Sequence, residues 1–415
     1  MIVVVKHFLY SPLSFLFLIF CFFPYVKLLP LGTDSQPYAL LLGMILLPLY
    51  LRKEIKPEFL ALLLVALFSA GIAIFSPWDF NTVRSFINYL SLFVVSFVTY
   101  HFLKKKGGLP YVFFRNVVYI WFGVGIIQLF IYPSFLSFLV PRGDSSVNLL
   151  SGRGINCLAP EPTFYAIICA CMLIIAFLNF RYEKSYQLLN ILLLIQIFIL
   201  ARSSTVILLF LFSLIIYFVY KVFALSKNRM RTFIVCIFTG IGLWVVGNIL
   251  VTHLSEYRIG RLLFIIMEEP ITIMMKDESV NERFIHAFFP FYGFFRDGGL
   301  PHGYGQFSEF MQEVYVSGKF DEYLPFYREG YTRIMSGWGN AFFELGFVAL
   351  LIVYVIVRNF HALVRTSPAV AFYGPLFMLI LFNAMPWSNA LVGFVVGNVI
   401  YAVEEQQQID EGTAN

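Results

Sequence analysis

Apolar runs of bilayer length recur along almost the whole chain and are interrupted at length only once. Between His253 and Gly337 no run is long enough to cross a membrane, and eight Lys/Arg and twelve Asp/Glu gather there. A spanning helix needs about 20 predominantly apolar residues. Runs at 11–29, 37–51, 57–75, 84–103, 110–132, 160–180, 187–201, 203–220, 232–252, 338–357, 370–385 and 388–403 give about twelve spans. Those at 37–51, 187–201 and the last two are shorter than the usual ~20 residues. With 60% of its residues hydrophobic and 13% charged, the chain has more apolar surface than a soluble core can hide. The expected fold class is therefore an all-α polytopic membrane protein. Its expected organisation is nine spans with short loops over 1–252, one large loop over 253–337, three more spans over 338–403, and a polar tail over 404–415.

Two smaller readings follow. No small-residue cleavage site precedes Asp34, so the first apolar run reads as an uncleaved span. The five cysteines, at 21, 157, 169, 171 and 236, lie in or near apolar segments and imply no disulfide framework.

Orientation follows from the cations, because short cytoplasmic loops carry the excess of Lys and Arg. With the N-terminus inside, the cytoplasmic connections hold 15: Lys6, Arg52, Lys53, Lys56, Lys104, Lys105, Lys106, Arg181, Lys184, Lys221, Lys227, Arg229, Arg231, Arg358 and Arg365. The opposite short connections hold 5: Lys27, Arg84, Arg142, Arg153 and Arg202. Both termini are expected in the cytoplasm and the large loop outside, in the periplasm of a two-membrane cell.

Topology accounts for the inner cations and leaves the outer ones to explain. Arg142 and Arg153 lie in the connection 133–159, which runs into Ala159-Pro-Glu161-Pro-Thr-Phe-Tyr-Ala166. Arg202 sits in a connection so short that it must lie near membrane depth, where an ionisable residue is a functional candidate by default. Glu161, between two prolines at the start of a span, has a plain structural reading as well, since a first-turn proline and an acid both suit a helix N-terminus.

The large loop is well beyond the ~12–15 residues a passive connection needs. Its aromatic residues argue against disorder. Its eight cations against twelve acids make it acidic overall, so individual arginines rather than a diffuse field must bind any anion. Arg258, Arg261, Arg328 and Arg333 read as solvated or interfacial residues, and 261–275 as a membrane-surface segment. No Cys/His ligand spacing, phosphate-binding Gly loop or Gly-x-Ser-x-Gly elbow is present, and His286 and His302 are too isolated to claim a metal. What remains is outward-facing arginines, a membrane-edge Glu and a loop His framed by glycines. That set suits a substrate carrying phosphate on a lipid and sugar in water, since Arg grips phosphate through a planar fork and stays charged when partly desolvated. A base to deprotonate a sugar hydroxyl is then needed, and His or Glu can supply it. Tyr304, Tyr315, Tyr323, Tyr327 and Tyr331 offer rings for stacking on sugars.

These residues resemble a known family. Ala159-Pro-Glu-Pro-Thr-Phe-Tyr-Ala166 is similar to the Glu-Pro-Ser/Thr-x-x-Ala segment of bacterial O-antigen polymerases (Wzy), and Leu200-Ala-Arg-Ser-Ser-Thr-Val206 to a Ser/Thr-rich span start in the same proteins. Ser279-Val-Asn-Glu-Arg283 followed by Gly298-Gly-Leu-Pro-His-Gly-Tyr-Gly-Gln-Phe307 resembles the Arg…Pro-x-Gly-x-Gly pattern that they share with the O-antigen ligases. Asn340-Ala-Phe-Phe-Glu-Leu-Gly346 matches the Asn…Glu-x-Gly start of the next span. The motifs cover about 150–350 only.

The resemblance implies a C-type glycosyltransferase fold in the bacterial inner membrane, working without metal or other cofactor. It implies transfer of a growing glycan from undecaprenyl diphosphate to the non-reducing end of a lipid-linked repeat unit. Expected partners are that lipid-linked oligosaccharide, membrane lipids and a chain-length regulator protein, with no nucleic acid. The expected site comprises Arg153, Arg202 and Arg283 on the diphosphate, Glu161 or His302 as base with Glu161 preferred, and Tyr304, Asn340 and Glu344 on the sugars. Within the Pro-x-Gly-x-Gly core, His302 stands either for the catalytic histidine of the ligases or in a variable slot. Two other activities fit the same topology. A ligase would pass the glycan to lipid A-core, and a flippase would move the lipid-linked unit, although a transporter favours polar groups at midplane and short outer loops.

Overall fold

The computed structural model describes residues 2–29, 33–51, 55–150, 153–225, 272–331, 333–383 and 385–414, with isolated positions from 230 to 269. The expected span 232–252 and the loop's beginning, with Arg258 and Arg261, lie largely or wholly outside the described residues, as does Cys236. Among the described residues every regular element is helical: α1 (Ile2–Phe22), α2 (Tyr38–Leu46), α3 (Pro57–Phe75), α4 (Phe80–Lys106), α5 (Tyr111–Phe130), α6 (Ser146–Leu150), α7 (Pro162–Phe180), α8 (Tyr186–Ile195), α9 (Ser204–Tyr220), α10 (Ile273–Lys276), α11 (Glu278–Arg296), α12 (Phe307–Val316), α13 (Gly337–Leu345), α14 (Ala349–Thr366), α15 (Val370–Asn383) and α16 (Ala390–Ala414). Among the described residues six helical segments are long and apolar enough to cross a membrane: Pro57–Phe75, Phe80–Lys106, Tyr111–Phe130, Pro162–Phe180, Ser204–Ala224 and Gly337–Thr366. Shorter apolar helices at Pro12–Phe22, Tyr38–Leu49, Tyr186–Leu200 and Val370–Asn383 accompany them. The chain is a helical membrane protein.

It divides into two compact units, Met1–Val206 with Val348–Thr366 and Met385–Asn415, and Ile207–Phe347 with Ser367–Ala384. The first is built around α4. Asp79 caps this helix by accepting from the Thr82 N–H at 2.7 Å, and Lys104, Lys105 and Lys106 meet its negative end before Gly107 stops it at φ +68°. Its polar residues Ser85, Asn88, Ser91, Ser96 and Thr99 are all buried. They are small, and between membrane helices small residues let backbones approach closely. The approaching helix is α16, through Gly393 and Gly397. A Cβ at Gly393 would lie 2.8 Å from Val95 Cβ, and one at Gly397 2.3 Å from the Ser96 carbonyl oxygen. Helices α2 and α3 flank α4, and α7 packs on α16.

The residues read as a polar tail continue α16 as helix to Ala414. Glu404 explains the continuation. It accepts from Lys104 and Lys56 at 2.5 Å each and from the Tyr100 hydroxyl. Arg358 pairs with Glu58 at 3.3 Å. Burial pushes the Glu404 carboxyl up, but the hydrogen bonds from Lys104, Lys56 and Tyr100 outweigh it and hold the group at about 2. A carboxyl depressed from its ordinary ~4.5 contributes stability that is full above that value and is lost as pH falls through about 2. Glu404→Gln should therefore lower stability at pH 7 by about 1 kcal/mol, with the difference from wild type shrinking between pH 4.5 and 2. Thermal melts of the detergent-solubilised protein at stepped pH measure it.

The second unit has an aromatic core of its own: Ile285, Phe289, Phe307, Phe310, Met311, Val314, Leu324, Ile334 and Phe343. Helix α11 starts at Asp277, whose carboxylate accepts from the Val280 N–H at 3.0 Å, and packs along α13. The approach is close because Gly339 faces the His286 carbonyl and Gly293 faces Phe343. The end of α13 is fixed by Gly346, whose φ of +59° and ψ of −137° suit glycine alone. There the segment 299–302 supplies the partners a helix end lacks. The His302 N–H donates to the Phe343 carbonyl at 2.9 Å, and the Gly299 carbonyl accepts from the Phe347 N–H at 3.1 Å. Gly298, Gly299, Gly303 and Gly305 all have φ between +64° and +79°, which lets the segment wrap this break.

Candidate active site

Of the eight residues singled out in the sequence, Arg153, Glu161 and Arg202 lie in the first unit and Arg283, His302, Tyr304, Asn340 and Glu344 in the second.

Glu161 is the N-cap of α7, with Pro162 at the first helical position, where its missing N–H costs nothing. Its side chain makes no capping bond. Instead Oε1 accepts from Arg142 Nη1 at 3.1 Å, while Arg142 Nη2 donates to Asp34 Oδ2 at 2.7 Å. One guanidinium thus joins two connections that are far apart in the chain. Its backbone is set by Asn156, which is fully buried. Asn156 Nδ2 lies 3.1 Å from the Arg142 carbonyl, 3.2 Å from that of Asp144 and 3.2 Å from that of Pro160. Its Oδ1 accepts from Asn148 Nδ2 at 2.8 Å. Gln128, also fully buried, accepts from Ser145 Oγ at 2.9 Å and from the Cys157 N–H at 2.8 Å. These two amides satisfy backbone and side-chain groups of a connection whose regular structure is limited to short turns and the five-residue α6. The Asp144 carboxyl is held below its ordinary range, first by the Ser146 N–H and then by the Ser134 hydroxyl.

Arg153 and Arg202 sit on segments that bond to each other. The Ile155 N–H donates to the Leu200 carbonyl at 3.0 Å, and a Cβ at Gly154 would lie 2.0 Å from the Ala201 carbonyl oxygen. After Ile195 the helix widens to a π-turn over Gln196–Ala201, a feature often found beside functional sites. The buried Gln196 accepts from the Tyr165 hydroxyl there at 3.0 Å. The chain then turns at Arg202, in the left-handed region at φ +47°. Arg202 Nε donates to the Ile199 carbonyl at 3.1 Å, and Ser203 Oγ donates to Thr163 Oγ1 at 3.3 Å, next to the start of α7. Arg202 is exposed and Arg153 half-buried.

Backbone strain collects here. Among the described residues the non-glycine positions with positive φ are Leu136, Arg142, Cys157 and Arg202, all in the two connections just described. Such residues persist where surrounding contacts over-determine them, and they cluster at ligand sites.

In the second unit His302 is fixed on every side. Its ring stacks on Phe343 at 4.1 Å and 11°, and Nε2 lies 2.6 Å from Asp297 Oδ2. Arg296, which bonds Asp297 at 3.1 Å and Glu313 at 2.9 Å, holds the Asp297 carboxyl below its usual range, with His302 adding to the effect. His302 Nδ1 is enclosed and makes no hydrogen bond. The histidine thus locks 299–302 onto the end of α13. On that helix Asn340 and Glu344 are buried, at 6% and 5% exposure, and Tyr304 at 2% presents no ring to solvent. Arg283 lies half-buried on α11. His286 is buried against Tyr331 and Phe307, and burial, with the nearby Arg333 charge, holds its imidazole at about 3. Of the other tyrosines named for sugars, Tyr315 is exposed and stacks at 4.5 Å on the half-buried Tyr327, which meets the half-buried Tyr331 at 5.6 Å. Among the described residues no group of His, Cys, Asp and Glu is arranged to hold a metal ion.

No protein-family model and no curated protein matches this chain.

Sequence reasoning passed over Asp34, and it counted Arg142 as an outer cation without giving it a role. The only sequence signal at Arg142 was its place among five outer cations, which are few enough to inspect singly. Asp34 had none, because its partner is 108 residues away.

Proposed function

We propose that this chain is an O-antigen or related surface-polysaccharide polymerase of the bacterial inner membrane, a metal-independent glycosyltransferase acting on undecaprenyl-diphosphate-linked sugars. The observation that carries the reading is the gathering of Arg142, Arg153, Arg202 and Glu161 on mutually bonded, strained connections where membrane-length helices end. A polyprenyl tail stays in the bilayer, where each buried CH₂ contributes about 0.8 kcal/mol, so its diphosphate is held at the depth of helix ends. Arginine contacts that strengthen as the bond from the anomeric carbon to the diphosphate breaks lower the barrier rather than only tightening binding. The acceptor hydroxyl forms the new bond to that carbon, its proton passes to Glu161, and undecaprenyl diphosphate leaves. Glu161 is preferred over His302 because it is partly exposed, whereas the free ring nitrogen of His302 is enclosed. Arg283 remains part of the proposal through its place in the loop motif, and Arg283→Lys should lose most activity because the charge survives and the fork does not.

The proposal includes twelve spans, cytoplasmic termini and 253–337 on the periplasmic side. A cysteine placed at Ser317 should react with an impermeant reagent from outside, and labelling only from the cytoplasmic side would overturn the topology. The activity is tested with purified protein and a lipid-diphosphate-linked repeat unit. A ladder of longer products without any nucleotide sugar is the expected result. Transfer to lipid A-core with no ladder would make the protein a ligase instead.

A further inference from the structure

The Arg142 fork holds two carboxylates, and they are not equivalent. Asp34 is closer, at 2.7 Å, with its side chain 22% exposed, whereas Glu161 is at 3.1 Å and 36% exposed. The Arg142 side chain is 51% exposed, although its backbone is pinned in the left-handed region with its carbonyl on Asn156. Asp144, the other carboxylate of the connection, is occupied by Ser134 and the Ser146 N–H and does not compete for the guanidinium. Phosphate oxygens fit the same N–H pair as a carboxylate and carry more charge. An exposed ion pair such as Arg142–Glu161 is weak enough to be displaced.

We infer that Arg142 is an exchange point for a diphosphate. In the ligand-free protein Glu161 occupies the place on Nη1 that a phosphate oxygen takes, and Asp34 holds the guanidinium in position through Nη2. Binding of the diphosphate releases the Glu161 carboxylate beside it, so that the base becomes free only when the substrate is seated. Asp34 and Asn156 act as positioning residues, one on the side chain and one on the backbone of Arg142. The use of the released base rests on the polymerase reading, whereas the exchange itself concerns binding alone.

The test measures binding of inorganic pyrophosphate by calorimetry, with the full chain in nanodiscs of neutral phosphatidylcholine. Wild type, Glu161→Gln, Arg142→Gln and the double variant form a cycle. Glu161→Gln should tighten binding by about 2–5-fold, the effect of removing one exposed competing ion pair. Arg142→Gln should weaken binding, and in that background Glu161→Gln should bring no gain. No gain in the wild-type background would overturn the exchange, as would an equal gain in both backgrounds, which would mean simple loss of negative charge. If phosphatidylglycerol in the disc abolishes pyrophosphate binding as fully as Arg142→Gln does, the site takes a lipid headgroup and the diphosphate assignment falls. Because the readout is binding, a protein that shows the coupling but forms no ladder would overturn the polymerase reading and leave the exchange standing.

Discussion

Under the proposed polymerase activity, Arg202→Ala should lower ladder formation by roughly 10²–10³-fold, the usual loss when one donor to a developing charge is removed, with little change in folding. The residue is exposed, and among the described residues its side chain makes a single hydrogen bond, from Nε to the Ile199 carbonyl. That bond also makes lysine a poor substitute. Arginine caps the carbonyl with Nε while Nη1 and Nη2 keep their donors for the ligand, whereas an ammonium can serve one or the other. Arg202→Lys should therefore resemble Arg202→Ala in rate. Arg153→Ala should lose a similar factor. Ladder formation by purified, correctly inserted variants measures all three, and wild-type ladders from both Arg153→Ala and Arg202→Ala would remove the diphosphate clamp from the proposal.

Gly154→Val should damage both folding and activity. Any Cβ at this position meets the Ala201 carbonyl carbon at 2.2 Å and the Leu200 carbonyl oxygen at 2.4 Å, and these are backbone atoms that cannot swing aside. The two segments must separate, breaking the Ile155–Leu200 hydrogen bond and moving Arg153 away from Arg202. Overpacking of this kind costs about 1–3 kcal/mol. Gly71→Ala is the matching control, since a Cβ there meets nothing within 4 Å and alanine is the better helix former. Thermal stability and ladder formation should both fall for Gly154→Val and neither for Gly71→Ala.

Helices announced themselves in the sequence wherever lipid or core dictates every residue. The apolar run 57–75 coincides with Pro57–Phe75, and 203–220 nearly coincides with Ser204–Tyr220. The π-turn at 196–201 was illegible, because it adds a residue to a helix without changing its hydrophobicity. The continuation of α16 to Ala414 was hidden for another reason: Glu404 reads as solvated until Lys56 and Lys104 are known to lie beside it. The candidate site divides in the same way. Glu161 and Arg202 stood out because charge at a membrane edge is costly. The enclosure of His302 and the pairing of Arg142 with Asp34 depend on contacts that no local pattern encodes.

The packing of α16 against α4 also sets a timetable for synthesis. Asn88 Oδ1 accepts from the Ser388 N–H at 3.2 Å, and these two residues are 300 apart. At about 5–20 residues per second, the polar face of α4 waits roughly 15–60 s in the membrane before its permanent neighbour is made. During that interval Ser96 and Thr99 must lie against lipid, against earlier helices or against a membrane chaperone. Cutting the chain before Ala390 would therefore remove the other half of the first unit's core. Such a truncation should be degraded, even though Arg142, Arg153 and Arg202 are all still present.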